Sequence, residues 1–157
     1  MKYWERFTSF KQRGEWVELQ FMAAAAQRRL AVSKPWGETR AYDVGIERGQ
    51  NFLRVQVKST TNKTGDGYRC QMRPKHRKTH TYTLEQVDLF AVYVIPENAW
   101  YLIPAALLLA DPKRISDVML CPIRSPVKKA SYRYEGYREG WSLLTKSRNQ
   151  LLQCGSN

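Results

Sequence analysis

The segment Asp88-Leu89-Phe90-Ala91-Val92-Tyr93-Val94-Ile95 constrains this chain most. Seven apolar side chains follow Asp88 without interruption, whereas a strand wetted on one side would alternate them with polar residues. Such a run belongs to a strand covered on both faces. Pro96-Glu97-Asn98 turns the chain, and Ala99 to Ile103 returns as a neighbouring strand. Pro104 then opens a short Ala/Leu-rich helix at its favoured first position, stopped by Asp111-Pro112. The full length of 157 residues suits one domain with one real core.

Charge narrows the choice of partner. Lys and Arg number 26 against 14 Asp and Glu, a net charge of +12 that attracts polyanions at long range. Nucleic acid is the default partner of such a chain. A hydrophobic fraction of 43% with five Trp, nine Tyr and five Phe excludes wholesale disorder. No apolar run approaches the roughly 20 residues of a membrane span, so no membrane role is expected. Residues Met1 to Phe10 carry aromatics and charges in place of a signal peptide's apolar stretch, and the expected location is cytoplasmic. Three cysteines without a CxxC pair argue against a disulfide framework and a zinc ribbon. The chain holds no GxxxxGK loop, no GxGxxG and no Ser-His-Asp grouping, which leaves nucleotide hydrolysis, dinucleotide chemistry and acyl transfer unsupported.

Ser9 followed by Gln12 reads as a capping box, predicting a helix from there to about Leu30. On its wheel Glu18 lies about 20 to 60 degrees from Phe21, Met22, Ala25 and Arg29, while Gln20 and Gln27 face the opposite side. A carboxylate therefore sits within an otherwise largely apolar stripe. Lys34-Pro35-Trp36-Gly37-Glu38 is a turn, and Ala41 to Ile46 and Phe52 to Ser59 alternate like two strands of a hairpin. Tyr68 to Met72 predicts a third strand, Cys121 to Ile123 a further one, and Trp141 to Leu152 an amphipathic terminal helix.

The hairpin gathers chemistry. Pairing Glu47 with Phe52 leaves a four-residue turn and puts Asp43 opposite Gln56. Period-two alternation then clusters Asp43, Gln56 and Lys58 on one face, while Tyr42, Val44, Ile46, Val55 and Val57 bury the other. A hard cation takes oxygen ligands, available from Asp43, the Gln56 carbonyl and the Val57 backbone carbonyl, and an ammonium at Lys58 can orient an attacking water. Glu18 can add a carboxylate. The same spacing also suits Asp43 as a turn cap and Lys58 as a snorkelling strand-end residue.

The stretches Arg13-Gly14-Glu15-Trp16-Val17-Glu18, Tyr42-Asp43-Val44 and Arg54-Val55-Gln56-Val57-Lys58-Ser59 resemble the PD-(D/E)XK nuclease superfamily, most nearly its group I intron homing endonuclease branch, related to the Holliday junction resolvases. The likeness spans roughly Lys11 to Thr60, and Asp88 to Pro104 is similar to the later strand pair of the family. It implies an α/β fold with a restriction-endonuclease-like core: a mixed central β-sheet flanked by α-helices. It also implies dependence on Mg2+ or Mn2+ and DNA phosphodiester hydrolysis leaving a 5′-phosphate. By position, Glu18 becomes the helical metal-site acid, Asp43 the main metal ligand and Lys58 the residue on the nucleophilic water. Gln56 stands where the family has Glu or Asp, so the site loses one formal negative charge, and no Pro precedes Asp43.

The expected function is a site-specific, metal-dependent endonuclease of double-stranded DNA, a homing enzyme making double-strand breaks. The alternatives are a Holliday junction resolvase, a restriction-type nuclease, or an inactive DNA-binding module. One active site per chain predicts a homodimer or homotetramer. Within a single 1–157 nuclease domain the core spans about 9–110, with a C-terminal extension of about 111–157 for DNA contact or oligomerisation. Arg73, Lys75, Arg77 and Lys78 in one loop, and Lys128, Lys129, Arg133 and Arg138 in a later segment, are the expected phosphate contacts. Arg69, Gln71 and Arg73, alternating on one strand face, form a candidate base-reading set. His76 and His80 lie in surroundings that do not look helical and suit phosphate contact or solvation better than metal binding.

Overall fold

A computed structural model describes residues 2–74, 81–110, 116–122 and 133–155. The predicted contacts Lys75, Arg77, Lys78, Lys128 and Lys129, together with His76, His80 and Tyr132, lie outside these residues.

Helix α1 spans Phe10–Gln27. Ser9 caps it, its hydroxyl accepting from the Gln12 N–H at 3.1 Å. Only half of the predicted capping box forms, because the Gln12 carbonyl takes the Thr8 N–H and hydroxyl instead, both at 3.1 Å. The helix stops short of Leu30: Arg29 adopts φ 60°, and the Leu30 N–H folds back onto the Ala25 carbonyl. Val17, Phe21 and Ala25, four residues apart, form its buried stripe.

Strands β1 (Ala31–Ser33), β2 (Val44–Arg48) and β3 (Asn51–Thr60) follow, then β4 (Lys63–Thr64) and β5 (Gly67–Gln71). Strands β6 (Leu89–Val94) and β7 (Ala99–Pro104) lead into helix α2 (Ala105–Leu109), and β8 (Asp117–Leu120) and helix α3 (Arg148–Gln153) complete the chain. Five strands make a mixed sheet in the order β1-β2-β3-β6-β7, with β3 and β6 parallel and the other neighbours antiparallel. The hairpin register is the predicted one, with Glu47 opposite Phe52. Its turn is shorter than predicted, since Arg48 also pairs with Asn51 and only Gly49 and Gln50 remain outside the ladder. Gly49 makes this possible by taking φ 59°, a conformation natural to glycine in two-residue hairpin turns.

All six residues of β6 are buried, and alternate ones serve opposite cores. Leu89, Ala91 and Tyr93 join the α1 stripe, Leu53, Val55, Val57 and Trp141 on one side. Phe90, Val92 and Val94 join Tyr68, Cys70, Met72, Val118 and Leu120 on the other. The strand predicted at Tyr68 to Met72 therefore leaves the main sheet: β4-β5-β8 is a separate three-stranded sheet lying across its second face. Sequence pattern cannot distinguish these outcomes, because half-buried alternation is the same in either sheet. Cys121 and Pro122 follow β8 outside any strand, Ile123 of the strand predicted there lies outside the described residues, and the predicted terminal helix divides into a 3-10 segment, Trp141–Thr145, and α3, with Ser147 as a new cap between them. Trp141, Leu144 and Leu151 are core residues, Trp141 stacking on Phe21 with ring centroids 5.8 Å apart.

Candidate active site

Strand β3 carries its polar residues on the face away from α1, as the alternation requires. Leu53, Val55 and Val57 enter the α1 core, while Gln56 is buried and Lys58 half-buried on the other side. Asp43 immediately precedes β2, and its N–H donates to the Val55 carbonyl at 2.9 Å, continuing the ladder by one residue. Gln56 is therefore its cross-strand partner. Asp43 Oδ2 accepts from Gln56 Nε2 at 2.5 Å and from the Val57 N–H at 2.8 Å. The same Gln56 Nε2 lies 3.4 Å from the Val57 carbonyl. Asp43, Gln56 and Val57 thus converge as predicted, although Gln56 turns its amide nitrogen, not its carbonyl, toward Asp43.

Asp43 has its carboxyl pushed up to about 6, first by burial and then by the negative charge of Glu18; the Val57 N–H, Lys58 and Lys34 pull the other way. Helix residue Glu18, strand residue Lys58 and loop residue Lys34 all act electrostatically on one carboxyl. Gly45, next but one along β2, has no side chain to spare: a Cβ there would lie 2.5 Å from the Phe52 ring and 2.6 Å from Ser33 Oγ.

Lys58 Nζ donates to the Tyr82 hydroxyl at 2.9 Å and to the Arg73 carbonyl at 3.3 Å, and it lies 5.1 Å from the Tyr82 ring centroid. Burial, then the Asp43 charge, pushes the Tyr82 phenol up. Glu18 Oε2 is paired with Lys34 Nζ, and the Glu18 side chain is mostly buried. Sequence reasoning missed Tyr82 and Lys34. Tyr82 belongs to no periodic segment, and Lys34 follows a strand of three residues, too short to register.

Among the described residues no three His, Cys, Asp or Glu side chains gather in a metal-binding cluster. A cation here would draw on two carboxylates, Glu18 and Asp43, with the Gln56 amide and Val57 carbonyl oxygens. That donor set fits a hard divalent ion, whose charge offsets the repulsion already evident in the raised Asp43.

The base-reading candidates fall as alternation predicts. Arg69, Gln71 and Arg73 are exposed, while Tyr68, Cys70 and Met72 are buried. Arg69 is tied to Asp117 at 2.5 Å across the β5–β8 pair. Arg133 is exposed, with its guanidinium 5.5 Å from the Tyr134 ring centroid. Arg138 donates to the Pro122 carbonyl at 2.8 Å and is committed to the fold, and Tyr134 is core.

Comparison with solved structures finds a bacterial homing endonuclease, I-Ssp6803I, at TM-score 0.72 and 24% identity, covering 94% of this chain and 96% of that one. The Holliday junction resolvase Hjc of Archaeoglobus fulgidus superposes at TM-score 0.50 and 14% identity, covering 76% of this chain and 95% of that one. These likenesses establish the fold. No curated protein matches the chain significantly. The sequence profile described as PD-(D/E)XK endonuclease matches residues 8–133, a span that holds the α1 acid, both strands of the hairpin and the β6–β7 pair. The chain belongs to the PD-(D/E)XK endonuclease family.

Proposed function

We propose that this chain is a divalent-metal-dependent DNA endonuclease that cuts duplex DNA at specific sites, acting as a homing enzyme. The observation that carries the reading is the meeting of Asp43, Gln56, the Val57 backbone, Glu18 and Lys58 around one half-buried carboxyl. Asp43 and Glu18 would hold Mg2+ or Mn2+, assisted by the Gln56 and Val57 carbonyls. The bound ion supplies a Lewis acid against the charge of the scissile phosphate. The Gln56 amide must rotate to offer its oxygen, which releases Asp43 Oδ2 from the hydrogen bond it now accepts. Lys58, held by Tyr82, orients the attacking water. The water's oxygen bonds to phosphorus and gives up a proton to solvent as the bond to the 3′ oxygen breaks, and the 3′ oxygen takes up a proton, leaving a 5′-phosphate and a 3′-hydroxyl.

The net charge of +12 supports DNA as substrate. Arg69, Gln71, Arg73 and Arg133 present exposed side chains that suit DNA contact, with Lys75, Arg77, Lys78, Lys128 and Lys129 as further candidates from the sequence. Cutting both strands requires two sites, so a homodimer or homotetramer follows from the reading.

The test is cleavage of plasmid DNA with and without Mg2+ by the wild type, Asp43→Ala and Lys58→Ala. Metal-dependent cutting lost in both variants is expected, and equal cutting by all three overturns the reading. A four-way junction offered beside linear duplex separates resolvase activity. The amide N–H of Gln56 facing Asp43 favours one second reading, a DNA-binding module without catalysis. It predicts salt-sensitive retention of DNA, indifferent to metal, with no product.

A further inference from the structure

Trp36 is 99% exposed. The other four tryptophans are buried or half-buried, Trp100 and Trp141 in the core and Trp4 and Trp16 packed against it. An indole held wholly in water contributes nothing to the core and leaves its entire apolar surface uncovered. Its position in the chain is equally specific. Residues 34–43 connect β1 to β2, and both ends of this connection enter the candidate site: Lys34 pairs with Glu18, and Asp43 is its half-buried carboxyl. A second ion pair, Glu38 Oε1 to Lys11 Nζ at 3.3 Å, fastens the segment to α1 on the far side of Trp36. Gly37, at φ 74°, makes the turn that carries the indole outward between these two ties. Arg40, further along, is also exposed.

We propose that the 34–43 connection is a DNA-contacting flap, and that Trp36 stacks on or wedges between bases beside the phosphate at the active site. This rests on the nuclease reading above. Indole faces stack on any base without sequence preference, and apolar wedges at base steps open the duplex and bend it. The exposed Arg40 suits a phosphate beside it. A second copy of the chain is the poorer occupant, because Trp36 is one indole beside Lys34 and Arg40 rather than an extended apolar patch. Trp36 differs from the predicted contacts in acting next to the reacting phosphate.

The experiment compares wild type, Trp36→Phe and Trp36→Ala for binding to a fluorescein-labelled random-sequence duplex in EDTA, for plasmid cleavage in Mg2+, and for sedimentation without DNA. Circular dichroism and thermal melting should match in all three proteins, since Trp36 packs against nothing. Duplex DNA should quench wild-type tryptophan emission, and this quenching should disappear in Trp36→Phe, whose ring still stacks. Trp36→Ala should bind at least about fivefold more weakly, the loss expected for one stacked base, and cut with a raised KM. Wild-type cutting with Trp36→Ala unchanged in binding and cleavage overturns the flap alone. A wild type that neither binds nor cuts DNA overturns the nuclease reading and the flap with it. Sedimentation as a smaller species by Trp36→Ala, with DNA affinity per subunit unchanged, assigns the indole to a second copy and overturns the proposal.

Discussion

Asp43 and Gln56 face each other across the β2–β3 hairpin, Oδ2 accepting from Nε2 at 2.5 Å, one residue beyond the last ladder pair of Val44 with Val55. The acid lies where the strand ends and the helix-side Glu18 comes within electrostatic range. Its charge is therefore costly.

Asp43→Asn should stabilise the apo protein at neutral pH. A carboxyl raised from its ordinary value to about 6 favours the protonated folded state, so its ionisation costs stability as pH rises through that interval and the cost is constant above it. The amide substitution removes a penalty on the order of 3 kcal/mol at about pH 8 and almost nothing below about pH 3. Urea melts of both proteins across pH in EDTA check this. A divalent ion should reverse the order at neutral pH, stabilising the wild type and not the variant.

On the nuclease reading, Lys34 and a divalent ion would compete for Glu18. Glu18→Gln should weaken Mn2+ binding by about tenfold, because ligand charge sets the affinity of such sites. Lys34→Met should strengthen it a few-fold, a small effect because the ammonium is half exposed. Isothermal titration with Mn2+ reads both. Weakened binding in Lys34→Met would show that the ammonium supports the site rather than occupying it.

Tyr82→Phe removes the hydroxyl that accepts from Lys58 at 2.9 Å and retains the ring 5.1 Å from its ammonium. Cleavage turnover should fall about five- to tenfold with KM unchanged, the scale of one hydrogen bond acting through positioning. Single-turnover kinetics on a plasmid substrate measure it, and an unchanged rate would release Tyr82 from that role.

Asp88 fastens the C-terminal helix to the sheet. Its carboxylate, 4% exposed, accepts from Arg54 through the backbone N–H, Nε and Nη2 at 2.8 to 2.9 Å and from Arg148 Nε at 2.9 Å. Burial pushes it up, but the Arg54 hydrogen bonds and charge, with Arg148, hold it below its ordinary value. This stability is present above the ordinary carboxylate range and lost as pH falls through the lowered folded-state value. Asp88→Ala should cost about 3 kcal/mol, leaving Arg54 unpaired in a largely buried place. Arg148→Ala, half exposed, should cost about 1 kcal/mol or less. Denaturant unfolding distinguishes the two.

The hairpin was legible because a period of two leaves only one register that buries Val44, Ile46, Val55 and Val57 together, and the same register forces Asp43 opposite Gln56. The α1 stripe and the β6–β7 pair were legible for similar reasons. Tyr82 was not, since its role comes from contact with Lys58, 24 residues away, and no local pattern encodes such a meeting. The orientation of the Gln56 amide was equally hidden, being chosen by the acceptors Asp43 and Val57.

By itself the sequence determined which side of each strand is apolar, where the acid, amide and amine fall in register, and the charge that selects a polyanionic partner. Those are local quantities, set by side-chain chemistry and backbone periodicity. Only the tertiary structure decided that β5 joins a second sheet, that Lys34 rather than solvent meets Glu18, and that Asp43 is half-buried near a like charge. Each of these depends on surfaces distant in the chain excluding water from one another, and desolvation is a property of the assembled fold.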